Sequence, residues 1–301
     1  MNEQGDHSRE IDDASFHALL REAGRVPLQQ SFAYGQAMAA AGRLVRRFKV
    51  GPDHVAQAAA RRLPGRAGLV LLARGPLPIA GDLLPAQDQL YRSVRASLGR
   101  SLLLWSPMQP AAGLVRPVVT GYATVWIDLR PDHVQLRRRL DGKWRNQLVR
   151  AEAQGLQVRQ VHGGSAVRWL AQRHDIHRRE VGYRALPVPF LERMAQASPG
   201  CRDRLVLVAA CKGVPVAGIW LQVHHGSATY LIGYADDAGR RTDAMRLLLW
   251  QGMLALRERG VQWLDLGGVA TDRAPGLSRF KFGMGGTVGV EAGMYFRPLL
   301  V

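Results

Sequence analysis

The chain has 301 residues, 47% hydrophobic and 22% charged: too long for one ordinary α/β domain, comfortable for two, and balanced for packed cores rather than disorder. Its net charge of +17 would attract the phosphates of nucleic acid, nucleotide-linked sugars or anionic lipid. The only lysines are Lys49, Lys143, Lys212 and Lys281, so the charge is almost all arginine, which GC-rich codon usage would equally produce.

Residues 1–12 read as a flexible, acidic tail, with Glu3, Asp6, Glu10 and Asp12 and no apolar run, unlike a secretory signal. Ser31 to Gly42 reads as a short helix. Arg43 to Val50, His54 to Leu63 and Gly68 to Leu77 read as strands, parted by turns at Gly51-Pro52-Asp53 and Pro64-Gly65. Leu83 to Gly99 is helical and Ser101 to Ser106 strand-like. A capping box, Asp132 with Gln135, opens a helix over 132–155 with Leu140, Trp144, Leu148 and Ala151 on one face and Gly155 as its stop. Helices are expected near Ala166 to Glu180 and Val188 to Ala197.

The second half repeats the grammar of the first. Leu205 to Cys211, Val214 to Val223 and Ala228 to Tyr234 read as strands. Thr242 to Gly260 is the clearest helix, with Met245, Leu248, Leu249, Gly252, Met253 and Leu256 in one stripe, and Val261 to Leu266 is the strand after it. Three strands, a helix and a strand thus occur twice, which predicts duplicated α/β domains with mixed sheets. The expected domains are 1–131 and 132–301, the second led by an inter-domain helix over 132–155. No run approaches the roughly 18 apolar residues of a spanning helix. Cys201 and Cys211 lack the spacing of a disulfide framework or zinc site, so a cytoplasmic protein is expected.

Three stretches carry a resemblance: Gln30-Ser31-Phe32-Ala33-Tyr34; Asp141 to Asn146 continuing to Gly155-Leu156; and Asp265-Leu266-Gly267-Gly268 followed by Pro275-Gly276-Leu277 and Arg279-Phe280-Lys281-Phe282-Gly283. Together they resemble the FemABX family of peptidoglycan bridge-forming aminoacyltransferases, within the GNAT acyltransferase superfamily. The resemblance implies two tandem GNAT-like domains with a groove between them. It also implies an aminoacyl-tRNA donor, a peptidoglycan-precursor-like amine as acceptor, and peptide-bond formation with no cofactor. Met38 stands where the family commonly has a lysine that meets substrate phosphates, and Ser106-Pro107 where an acidic residue often precedes proline.

Moving an acyl group from an ester to an amine requires removal of an amine proton and stabilisation of an oxyanion, with no protein nucleophile. The resemblance implies that Lys281 supplies a fixed ammonium at the reacting centre, with Phe280 beside it for substrate. A surface lysine at a helix end is the plainer reading. Asp265 could orient an amine while Gly267 and Gly268 let backbone approach a ligand, or it could simply cap a turn. Arg240, Arg241 and Thr242 precede the strongest helix, where amides and dipole favour an anion, or they are solvated turn residues. The same stretch lacks the glycines of a pyrophosphate-binding loop, which disfavours acyl-CoA as the alternative donor, in polysaccharide or lipid modification. A third reading is a non-catalytic protein holding RNA or an anionic membrane surface through Arg137, Arg138, Arg139, Arg145 and Arg150. His174 and His177, without a third ligand, read as exposed helix histidines. Gly283-Met284-Gly285-Gly286 lacks the strand–helix setting of a phosphate cradle.

Overall fold

The computed structural model describes residues 8–62, 68–79, 83–109, 116–198, 200 and 202–299. In chain order the strands and helices are β1 (Arg9–Glu10), α1 (Asp13–Glu22), α2 (Phe32–Ala40), β2 (Leu44–Val50), β3 (His54–Arg62), β4 (Gly68–Ala73), β5 (Leu77–Pro78), α3 (Leu83–Leu98), β6 (Ser101–Ser106), β7 (Ala123–Asp128), α4 (His133–Arg139) and α5 (Gly142–Glu152). There follow β8 (Gln157–Val161), α6 (Gly164–Val181), α7 (Val188–Gln196), β9 (Arg204–Cys211), β10 (Val214–His224), β11 (Ser227–Ala235), α8 (Asp237–Arg241), α9 (Ala244–Glu258), β12 (Trp263–Gly268), α10 (Pro275–Phe282), β13 (Thr287–Val290) and β14 (Tyr295–Leu299). Among the described residues no helix is long and apolar enough to cross a membrane. The expected turn at Pro64-Gly65, residues 1–7 of the expected tail, and Cys201 lie outside the described residues; Cys211 carries a free thiol.

The chain divides into two compact units, residues 1–123 with 290–301, and residues 124–289. In the first, β2, β3 and β4 are antiparallel neighbours, β4 pairs in parallel with β6, and β14 closes on β6 antiparallel. Phe48, Val50, Val70, Leu72, Leu103 and Trp105 turn inward with Leu90 and Val94 of α3. A second apolar cluster gathers Phe16 and Leu20 of α1 with Val26, Val55 and Leu77. Residues 9–12 are therefore not tail: β1 pairs with β2, and Asp12 caps α1 by accepting from the Ser15 amide at 2.7 Å.

The second unit repeats this plan. β9, β10 and β11 are antiparallel, β11 pairs in parallel with β12, and β7 closes on β12 antiparallel. The apolar stripe of α9, including Leu248, Leu249, Met253 and Leu256, packs with Ile219 and Leu221 of β10 and with Trp144 and Leu148 of α5. The duplicated mixed-sheet architecture is the one the sequence implies. The closing strands are where a linear division at residue 131 departs from the fold. β7 follows β6 in sequence but lies in the second sheet, and β14, at the end of the chain, lies in the first.

The helix expected over 132–155 is two helices. Asp132 caps α4 at the Gln135 amide, as its capping position predicts, but Leu140 has extended backbone and Asp141 caps a new helix at the Lys143 and Trp144 amides. The glycines after α10 are positions of close packing rather than a phosphate cradle. A side chain on Gly285, whose φ is +76°, would run into the backbone carbonyl of Arg139, and one on Gly286 would meet the Trp126 carbonyl. Gly285→Ala therefore combines a left-handed backbone with a backbone clash and is expected to lower stability by about 2–4 kcal/mol, read by urea unfolding. An unchanged unfolding midpoint would remove this packing assignment.

Candidate functional site

The candidate site is built at the end of β12. Registered β11–β12 pairs run from Ser227 with Trp263 to Thr229 with Asp265, beyond which β11 continues to Ala235. On the other side β12 bulges against β7: Asp265 is opposite Trp126 and Gly268 opposite Thr124, so two residues of β12 are accommodated where β7 has one. Gly267, at φ +72°, takes the left-handed conformation this requires. The Asp265 side chain, 1% exposed, fixes the bulge, accepting from the Gly267 amide at 2.8 Å and from the Thr124 hydroxyl.

α10 opens on Pro275, whose missing N–H costs nothing at a helix start, and turns Ser278 and Lys281 inward three residues apart. The Ser278 hydroxyl accepts from the Ala270 amide at 3.1 Å, and Lys281 Nζ donates to the Gly268 carbonyl at 2.7 Å. The helix thus holds the β12–α10 connection at two points. Lys281 is 6% exposed. Burial pushes its ammonium down to about 8, while the Asp265 carboxylate favours the charged form. A surface lysine at a helix end is thereby corrected to a buried cation, protonated at neutral pH beside a buried carboxylate.

Lys281, Asp265, Gly267 and Gly268 therefore come together, while the other expected site residues lie elsewhere in the unit. Phe280 packs on Trp144 of α5, ring centroids 6.0 Å apart, and the Arg246 guanidinium lies 5.1 Å from its centroid. Arg246 is anchored to Asp243 at 2.7 Å, and burial lowers its pKa. Arg240 donates to the Ala235 carbonyl at 2.6 Å and to Asp237 at 2.5 Å; the Thr242 hydroxyl donates to the Ala238 carbonyl at 2.8 Å; Arg241 is exposed at the end of α8. The turn leading into α9 is engaged as well. The amides of Arg240, Thr242, Asp243 and Arg246 bond to carbonyls three or four residues back, and Asp243, at φ +53°, also receives Arg150 at 3.1 Å.

Sequence reading missed Thr124 and Ser278, ordinary hydroxyl residues with nothing local to mark them. It also placed His174 on the surface, whereas the ring is 3% exposed. His174 Nδ1 lies 3.2 Å from the Tyr183 hydroxyl, and burial, reinforced by Arg178, lowers its pKa. The signal was present in the spacing: His174 continues the buried stripe Val167, Leu170, Ala171. In the first unit, Gln30 of the Gln30–Tyr34 stretch is a buried fastener, donating to the carbonyls of Gln57 at 3.1 Å and Ala73 at 2.6 Å, and Ser31 caps α2. Met38 lines a cavity of about 20 Å³ beside Tyr34 and Gln57.

Residues 137–285, which contain the whole β12–α10 site, match the family model of the acetyltransferase (GNAT) domain. This region is a GNAT-type acyltransferase domain. The chain's tandem fold is similar to the crystal structure of FemX, with a TM-score of 0.77 at 14% identity, covering 96% of each chain. It is also similar to the C-terminal domain of a putative lysylphosphatidylglycerol synthetase from Agrobacterium fabrum, with a TM-score of 0.55 at 18% identity over 96% of this chain and 93% of that one. A tandem GNAT protein from the clavulanic acid biosynthesis pathway gives a TM-score of 0.52 at 12% identity over 97% and 98%. No curated protein sequence matches the chain. The FemABX-like, twin-GNAT expectation is borne out at the level of fold, and of GNAT membership over residues 137–285.

Proposed function

We propose that the GNAT-type acyltransferase transfers an aminoacyl group from an aminoacyl-tRNA to the amine of a peptidoglycan-precursor-like acceptor. The observation that carries the choice of donor is the start of α9. A CoA pyrophosphate needs free amides at that helix end. Here the N-cap position holds the Asp243 carboxylate, paired with Arg150 and Arg246, and its negative charge opposes a pyrophosphate at that end. The likeness to FemX supports the same reading.

In the reaction the acceptor amine attacks the ester carbonyl, the carbonyl electron pair moves to oxygen, and collapse of the tetrahedral intermediate breaks the C–O bond to the tRNA, whose ribose oxygen leaves with the proton given up by the amine. Lys281 supplies the fixed positive charge that opposes the developing oxyanion, with Gly268 taking one of its three N–H donors. Asp265 positions it and secures the bulge of Gly267 and Gly268, on which that placement depends.

The test incubates the purified chain with mixed charged tRNAs and a precursor extract and looks by mass spectrometry for an added amino-acid residue mass. Parallel reactions replace the tRNAs with acyl-CoA, or the extract with phosphatidylglycerol vesicles. Transfer from charged tRNA to a precursor is expected. Transfer from acyl-CoA alone overturns the donor, and transfer to lipid alone overturns the acceptor.

A further inference from the structure

A cleft of about 400 Å³ lies in the second unit, lined by His133, Val134, Arg137 and Arg138 of α4 and Arg145 of α5. No carboxylate lines it. Asp132 and Asp141, the acidic residues flanking α4, accept helix amides as N-caps. Arg137 is held by a two-pronged contact with Glu152, at 2.7 and 2.6 Å, with its guanidinium 5.6 Å from the Trp250 ring centroid. The guanidiniums of Arg138 and Arg145 have neither an ion pair nor a hydrogen bond among the described residues. Three guanidiniums thus share one concavity, with a single carboxylate engaged at its edge.

The break at Leu140-Asp141 that divides α4 from α5 lies between the contributing residues, so both helices supply walls. The one ring in the lining is the His133 imidazole, set among three guanidiniums, so the lining suits a charged backbone more than a base reader. Five residues from two adjacent helices line the cleft, a footprint on the scale of a few consecutive phosphates of a strand rather than of a bilayer face. Forked guanidiniums match phosphate oxygens.

We propose that this cleft binds the phosphodiester backbone of RNA, independently of sequence, with Arg138 and Arg145 as the phosphate contacts. The proposal rests on the aminoacyl-tRNA reading, for which it supplies a place to hold the donor's body.

The experiment measures binding of deacylated bulk tRNA to the full chain by fluorescence anisotropy across a salt series, for the wild type and for Arg138→Ser/Arg145→Ser. Loss of two phosphate contacts should flatten the slope of log affinity against log salt by about 1.4–1.8, with weaker binding at low salt. Both residues lie outside the apolar core, so the melting temperature should hold. A slope and affinity equal to the wild type overturn the cleft; if charged-tRNA transfer persists in the mass assay, the donor reading survives that failure. Phosphatidylglycerol vesicles provide the other arm: vesicle binding lost in the variant, with no tRNA binding by the wild type, would assign the cleft to a lipid headgroup and overturn the RNA proposal. Binding of tRNA without any transfer from it would instead sink the donor reading and leave the cleft standing.

Discussion

Lys281→Met is expected to reduce the transfer rate by about 100-fold or more at pH 7, while changing stability by no more than about 1–2 kcal/mol. Methionine approximates the length of the lysine stem and leaves only the Gly268 carbonyl short of its Nζ partner. It also removes a cation that the fold holds at an energetic disadvantage. The ammonium stands at about 8 rather than 10.5, so the folded chain disfavours the charged form by about 3 kcal/mol relative to the unfolded chain. The sign follows from that direction. Below about pH 8 the group is charged in both states and carries the full penalty; between about 8 and 10.5 the folded chain gives up its proton first, and stability from this residue rises with pH. A reaction that uses the ammonium must decline over the same interval. Wild-type protein should therefore lose activity above about pH 8 while this residue's effect on folding improves, and Lys281→Met should show neither trend. Rate profiles by mass spectrometry and urea unfolding at pH 7 and 9.5 read the two separately. A variant as fast as the wild type at pH 7 would remove Lys281 from the chemistry.

The pattern of what could be read from the amino-acid order has physical causes. The stripe of α9 was legible because one face of one helix meets one core, a local periodicity. The buried residues Val125, Trp126 and Ile127 in β7, and Tyr295 and Leu299 in β14, give no sign of which sheet receives each strand, because pairing is chosen between segments far apart in the chain. The break between α4 and α5 was hidden by Leu136, Leu140, Trp144 and Leu148, which keep a spacing of four across it; only the Asp141-Gly142 pair announced a new cap. At the candidate site the motif located Lys281, Asp265, Gly267 and Gly268 together but could not give their burial. Ser278 and Lys281 sit three apart on a helix opened by Pro275, but only their burial in the folded chain shows that this spacing turns them inward together. Phe280 belongs to the same motif for a different reason, its packing on Trp144 and Arg246. A short signature thus joins residues that stabilise the scaffold to residues that could perform chemistry.

Asp265→Asn should be the more damaging single change, and combining it with Lys281→Met should be less damaging than the sum of the two. Asp265 is buried, bonded to Thr124 and the Gly267 amide, and its charge opposes the loss of a proton from Lys281. An asparagine keeps the shape and one acceptor oxygen but removes the carboxylate whose field favours the buried ammonium and the charge on the acceptor of the Thr124 and Gly267 bonds, a loss of about 1.5–3 kcal/mol. The lysine then releases its proton still more readily. The pH at which activity declines should move below about 8, and the rate at pH 7 should fall because fewer molecules retain the ammonium. Removing both charges abolishes that conflict, so the double variant should recover about 1–3 kcal/mol relative to additivity in a four-way urea unfolding cycle. Additive losses with an unmoved alkaline limb would show that carboxylate and ammonium act independently, and Asp265 would then be a bulge-holding residue with no part in positioning the charge.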